Sequence, residues 1–93
     1  MTFWERTGML NVKFKPRAAK ELVKLAANPH LLLRVRMLLE DACAHPFSGL
    51  GKPEPLKHQL RGYWSRRIDT KNRVVYRIVE PNLIVISLIG HYS

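Results

Sequence analysis

Six prolines, at positions 16, 29, 46, 53, 55 and 81, constrain this chain more firmly than any other feature. Proline fixes its own φ, has no amide hydrogen and pushes the residue before it towards an extended conformation. Helices and central strands must therefore fit between these positions. Pro16 closes a short strand predicted over Asn11–Lys15, with Val12 and Phe14 on one face, and suits the first turn of a helix. That helix is predicted to run to about Ala27, on the helical spacing of Ala18, Leu22, Leu25 and Ala26. Asn28-Pro29 breaks the pattern and restarts it, with Asn28 as N-cap and Pro29 at the first helical position. The second helix is predicted to end near Ala44, before His45-Pro46. Leu31, Val35, Leu38, Leu39 and Ala42 form its inward stripe, and Arg34, Arg36, Glu40 and Asp41 stay mostly outside. Leu32, Leu33 and Met37 widen its apolar surface, which reads either as a broad core face or as a docking surface.

After a Gly/Pro loop come three strand-like runs, Tyr63–Ile68, Arg73–Val79 and Leu83–Ile89. The turn sequences Asp69-Thr70-Lys71-Asn72 and Glu80-Pro81-Asn82 join them as short hairpins. In the middle run Val74, Tyr76 and Ile78 point one way, and Arg73, Val75, Arg77 and Val79 the other. One face thus packs on helices while the other can present arginines. The expected fold is α+β in the order β-α-α-β-β-β, a mainly antiparallel sheet packed on two helices. With 93 residues and 46% apolar content, the chain reads as one domain, residues 1–93, with 1–9 as an N-terminal extension.

Sixteen Lys and Arg against seven Asp and Glu give a net charge of +9. Such a balance fits a nucleic-acid or ribosomal partner, with an anionic membrane surface or an acidic protein as rivals. The single cysteine, Cys43, excludes an intramolecular disulfide and zinc-ligand spacing, and lies on a predicted helix as a packing residue. The N-terminus lacks the apolar core of a signal peptide, and the longest apolar run has the length of a strand, far short of the ~20 residues of a membrane span. The chain is expected to be soluble and cytoplasmic, without membrane association.

The chemistry concentrates between Pro46 and Ile68. Glu54 sits between two prolines on stiff backbone, and Lys57, His58, Arg61, Arg66 and Arg67 follow it. A carboxylate held still among cations suits a phosphate site. Cleaving RNA without a metal needs a base for the ribose 2′-hydroxyl, an acid for the departing 5′-oxygen and fixed positive charge for the phosphorane between them. Glu54 is the candidate base, His91 the acid, and Arg67 with Arg73 the phosphate clamp, because guanidinium donors meet phosphate oxygens in pairs. Lys57 adds a point charge, and Lys52, Arg61 and Arg66 are further candidate substrate contacts. Tyr63, Trp64 and Tyr92 offer faces on which an unstacked base could lie. Each has a plain competitor. Glu54 can be a salt-bridge partner, His91 a solvated histidine, the arginines a solvent-facing strand surface and Trp64 a core residue. Cations around a carboxylate also favour its ionised form and weaken it as a base. Glu54 can then serve only if bound phosphate neutralises those cations, or if most of the rate comes from positioning and charge, as in a nuclease active only within a host complex that holds the RNA.

At these residues the chain resembles the Txe/YoeB toxins of the RelE superfamily. Phe47, Gly49, the run Gly51-Lys52-Pro53-Glu54-Pro55-Leu56-Lys57-His58, Leu60, Gly62 and Trp64-Ser65-Arg66-Arg67-Ile68 follow that pattern, as do Arg73, Val75-Tyr76 and His91-Tyr92. The resemblance is specific over roughly the C-terminal half and is one of pattern only in the helices. It implies a compact microbial-ribonuclease-like fold and the toxin of a type II toxin–antitoxin pair. Such a toxin cuts messenger RNA in the ribosomal A site without metal or cofactor, leaving a 2′,3′-cyclic or 3′-phosphate end. By position, Glu54 is similar to the family's general base and His91 to its general acid. Arg67 and Arg73 match its phosphate-stabilising arginines, Lys57 a supporting cation and Tyr92 a base-stacking or orienting residue. The resemblance also implies a cognate antitoxin with an acidic, partly disordered tail, a capacity to form homodimers, and contact with operator DNA only through the toxin–antitoxin complex. One departure is Ser93, which follows the tyrosine at which the family typically ends. Two other classes stay open from the residues alone: a non-catalytic ribosome- or RNA-binding inhibitor of translation, and a DNA-binding regulator. The second lacks a convincing helix-turn-helix.

Overall fold

The computed structural model describes residues 10–90. The predicted N-terminal extension, residues 1–9, and the C-terminal His91, Tyr92 and Ser93 lie outside the described residues.

The prolines fall where their chemistry requires. Strand β1 (Asn11–Phe14) ends two residues before Pro16, which opens helix α1 (Pro16–Leu25). Pro29 opens helix α2 (Pro29–Ala44), and the Asn28 side chain caps it, accepting from the amides of His30 at 3.0 Å and Leu31 at 3.3 Å. That cap satisfies donors which the first helical turn leaves without partners. Three strands follow the loop, β3 (Trp64–Arg67), β4 (Arg73–Val79) and β5 (Asn82–Ser87). Between α2 and β3 lies a strand that the sequence does not announce, β2 (Glu54–Pro55). Two residues, one of them a proline, carry no alternation, and β2 exists only through its pairing with β3.

The five strands lie in the order β1-β5-β4-β3-β2. All pairs are antiparallel except β1 with β5, which is parallel. Two helices connect those parallel neighbours to the rest of the chain and bury one face of the sheet. Val35, Leu38, Leu39 and Ala42 of α2 and Ala18 and Leu25 of α1 join Val74, Tyr76, Leu83, Val85 and Leu88 in one core. The step from Val85 to Leu88 breaks strict alternation because Tyr76 faces Val85 while Val75 faces Ser87, so Ile86 is bulged out of register. A bulge of this kind turns the following side chains to the other face. Leu88, outside the strand, thereby returns to the core.

Several expectations are corrected. Helix α1 stops at Leu25 rather than Ala27, and β5 stops at Ser87 rather than Ile89. The wide apolar surface of α2 is not a broad core face, because Leu32, Leu33 and Met37 are exposed. A helix laid on a sheet buries one stripe, and here that stripe is the predicted one. Asp41 is not a solvent residue; it is half-buried and bonded. Cys43 packs in the core, and burial pushes its thiol up to about 11. Among the described residues, no helix is long and apolar enough to cross a membrane.

Leu38 has no exposed surface and lies at the centre of this packing. Leu38→Ala is expected to cost about 2–5 kcal/mol through the cavity it leaves. Urea unfolding checks this, and an unchanged midpoint would mean that the α2–sheet contact is wrongly described.

Candidate active site

Strand alternation sorts the functional residues by face. On β3, Trp64 and Arg66 pair with Tyr76 and Val74 on the helix-packed side. Ser65 and Arg67 therefore point to the opposite side, where the buried Ser65 faces the buried Val75 and Arg67 faces Arg73. Glu54 is in register with Ser65. Directly opposed residues of an antiparallel pair share a face. Glu54, Arg67 and Arg73 thus come together on the face away from the helices. Spacings of about 4.8 Å between strands and 3.4 Å along them put the Cα atoms of Glu54 and Arg73 roughly 12 Å apart. Long side chains can close such a gap around one phosphodiester.

Glu54 stands on an edge segment tied at both ends. The Gly51 carbonyl accepts from the Arg67 amide at 2.7 Å, and the Leu56 amide donates to the Tyr63 carbonyl at 2.9 Å. Lys52 and His58, on either side of it, adopt positive φ values of 53° and 58°. Residues other than glycine rarely hold that conformation, which costs on the order of 1–3 kcal/mol unless the surroundings impose it. Glu54 itself is exposed, and none of the ion pairs among the described residues involves it. Its salt-bridge competitor therefore finds no support here.

Arg67 is exposed and Arg73 half-buried. Two like charges directly opposite one another across a strand pair disfavour the fold. Arg73 Nη1 is moreover buried without a hydrogen-bond partner, as is the Ser87 hydroxyl. Both lie on the side away from the helices, Ser87 facing Val75 two residues from Arg73. Buried donors without acceptors are uncommon in folded proteins and call for an explanation. An oxyanion between Arg67 and Arg73 would satisfy both the orphan donor and the paired charge.

Arg66 is different. It is wholly buried, and all five of its donors are used. Nε donates to the Tyr76 hydroxyl at 3.0 Å. Nη1 donates to Asp41 Oδ2 at 2.6 Å and to the Leu50 carbonyl, and Nη2 to the carbonyls of His45 and Ser48. Tyr76 in turn donates to the Pro46 carbonyl at 2.6 Å, and Asp41 Oδ2 also accepts from the Leu50 amide at 2.9 Å. Burial alone would push the Asp41 carboxyl up, but the bonds from Leu50 and Arg66 hold it below its ordinary value. A Cβ at Gly49, whose φ is +105°, would collide with that carboxylate. The hub ties residues 45–50, and with them the approach to Glu54, onto β3 and α2.

Arg66 is therefore corrected from a substrate contact to a structural residue, since no donor remains for a phosphate. Trp64 is corrected too. It lies on the helix-packed side, half-buried against the core, with its ring 4.8 Å from that of Phe47. The Tyr63 ring carries Arg77, 5.3 Å from its centroid. Lys52, Lys57 and Arg61 are exposed around the Glu54 segment, where they can add charge without fixed geometry. His91 and Tyr92 lie outside the described residues, which end at Gly90.

Residues 14–92 match the family described as YoeB-like toxin of bacterial type II toxin-antitoxin system. The chain belongs to that family. Among its relatives, Toxin YoeB of Mycobacterium bovis is 42% identical over 85 residues, 90% of this chain and 100% of that one. The YoeB–YefM complex from Staphylococcus aureus superposes with a TM-score of 0.82 at 33% identity, covering 89% of this chain and 98% of that one. The YoeB dimer from the same organism gives a TM-score of 0.83 at 33% identity over the same shares. YoeB-type architecture thus extends through both helices, where the sequence pattern is least distinctive.

Proposed function

We propose that this chain is a ribosome-dependent endoribonuclease that cuts messenger RNA in the A site and so arrests translation. The observation that supports it most is the Arg67–Arg73 pair, with Arg73 Nη1 buried and unpartnered on the same face as Glu54. Glu54 takes the proton of the ribose 2′-hydroxyl as that oxygen attacks phosphorus. Arg67 and Arg73 hold the non-bridging oxygens while negative charge accumulates on them. His91 protonates the 5′-oxygen as its bond to phosphorus breaks, and a 2′,3′-cyclic phosphate remains. Tyr92 stacks on or orients the base, and Lys57 adds a supporting positive charge. The roles of His91 and Tyr92 rest on likeness to the family, as does the ribosome as host. An exposed Glu54 without an ion pair is free to meet substrate, and the ribosome would supply the positioning that such a small site lacks.

The S. aureus relative was solved with YefM and as a dimer. By that likeness we assign this chain a cognate antitoxin and a capacity to form homodimers. An acidic, partly disordered antitoxin tail suits a partner of charge +9, because opposite charge speeds encounter. Operator DNA would be reached only through that complex.

Glu54→Gln separates the nuclease from an inhibitor that acts by occupancy. The variant is expected to bind ribosomes like the wild type and to cut mRNA about 10²–10⁴-fold more slowly, the usual cost of losing a general base. Growth arrest by Glu54→Gln equal to wild type would establish the occupancy reading instead.

A further inference from the structure

We infer that Arg77, backed by the Tyr63 ring, is a second RNA subsite, which stacks the base immediately upstream of the nucleotide whose 2′-hydroxyl attacks. This rests on the nuclease reading above and adds a contact on the same face. Trp64 pairs with Tyr76 on the helix-packed side, so their neighbours Tyr63 and Arg77 fall together on the side of Glu54, Arg67 and Arg73. The Arg77 guanidinium lies 5.3 Å from the centroid of the Tyr63 ring. A cation and an aromatic face attract one another within ~6 Å.

Both members stand on paired backbone. Arg77 lies inside β4, between β3 and β5, and opposes Ile84. The Tyr63 amide donates to the Leu60 carbonyl at 2.9 Å, and its carbonyl accepts from the Leu56 amide at 2.9 Å. Arg77 is exposed and Tyr63 half-buried. None of the ion pairs among the described residues takes Arg77. An exposed arginine ordinarily samples many rotamers and loses that freedom on binding. Here the ring restrains the guanidinium before a ligand arrives. Splayed RNA bases stack on guanidinium planes as they do on aromatic rings.

The order of side chains along the strands gives the subsite its polarity. Arg67 with Arg73, then Glu54 with Ser65 and Val75, then Tyr63 with Arg77 form three successive rows. Each row is two residues from the next, roughly 7 Å at ~3.4 Å per residue. The attacking 2′-hydroxyl belongs to the nucleotide on the 5′ side of the phosphate. With phosphate at the first row and that hydroxyl at the second, the RNA runs towards its 5′ end as it reaches the third. Arg77 therefore meets the upstream neighbour and not the leaving strand. A stack there touches no reacting atom, so it should govern affinity and leave the chemical step alone.

The test titrates toxin against ribosomes programmed with mRNA carrying either a base or an abasic nucleotide at that upstream position, read by single-turnover cleavage. Arg77→Ala is expected to raise the half-saturating toxin concentration about 10–100-fold on intact mRNA, the usual effect of losing a stacked base, with the saturating rate unchanged. Arg77→Lys keeps the charge without the plane and should lose nearly as much. On abasic mRNA the wild type should weaken by the same factor, and Arg77→Ala no further. Both variants change an exposed side chain and should melt with the wild type. Equal losses on the two mRNAs, or Arg77→Lys at wild-type affinity, would overturn the stack in favour of a contact made by charge alone. Coupling to an abasic nucleotide downstream of the cut would overturn the polarity. Active wild type with unaffected variants would overturn the subsite alone. A wild type that leaves mRNA intact would overturn the nuclease reading and the subsite with it.

Discussion

Arg73→Ala is expected to lower mRNA cleavage by about 10²–10³-fold while leaving the melting temperature unchanged or raised, the signature of a preorganised charge. The two halves of this expectation have one cause. Arg73 faces Arg67 directly across β3 and β4, and its Nη1 is buried without an acceptor. An orphaned buried donor costs on the order of 1–3 kcal/mol, and opposed like charges add to that cost. Removing the side chain relieves both. The backbone amide that holds the Gly90 carbonyl survives in alanine, so the segment after β5 keeps this support. Activity and stability should then move independently, as they do where a site is held in a state useful only with substrate bound. Thermal melts beside single-turnover cleavage check this. A fall in melting temperature parallel to the fall in rate would make Arg73 a structural residue.

Arg66→Met should behave in the opposite way, costing about 3–5 kcal/mol, because breaking a buried ion pair strands its partner. The loss would leave Asp41 without its cation and the carbonyls of His45, Ser48 and Leu50 without their donor. Against a total stability of ~5–15 kcal/mol, this is a large share. Cleavage should fall with the folded fraction, since the hub holds the segment that leads to Glu54. The pH dependence carries a second signature. The Asp41 carboxyl lies below its ordinary value when folded, so it contributes stability above its unfolded pKa, and loses it as pH falls through the folded one. In Arg66→Met that contribution is reduced, and the acid limb of the stability curve should flatten. A variant within about 1 kcal/mol of wild type in urea would contradict the hub, since that is the range of an ordinary surface change.

Much of this fold was legible because local chemistry decides it. Asn28 and Pro29 carry their own instructions for starting α2, and the alternation of Val74, Tyr76 and Ile78 phases β4 without help from distant residues. Strand β2 was not legible, because only its partner β3, brought close by the intervening loop, makes it a strand. Arg66 and Arg67 show the same limit at the site. They are neighbours of one type in one motif, yet strand alternation buries the first and exposes the second. The signal was present in the apolar residues at Trp64 and Ile68, which share the phase of Arg66. Glu21 could likewise have been found, since it falls in register with Ala18 and Leu25 on the buried face of α1. The amides that donate to its Oε1, Leu88 at 2.7 Å and Ile89 at 3.1 Å, are far away in sequence and could not have been foreseen. Likeness to a family named Glu54, Arg67 and Arg73 as a set, and the β2–β3–β4 register gives the physical reason for their proximity.

The most direct test is primer extension on a defined mRNA in a reconstituted translation reaction, comparing wild type with Glu54→Gln and His91→Gln. New 5′ ends within the A-site codon for wild type, and reduced at least a hundredfold in both variants, are what this account predicts. Ribosomes stalled on intact mRNA by all three proteins would contradict it.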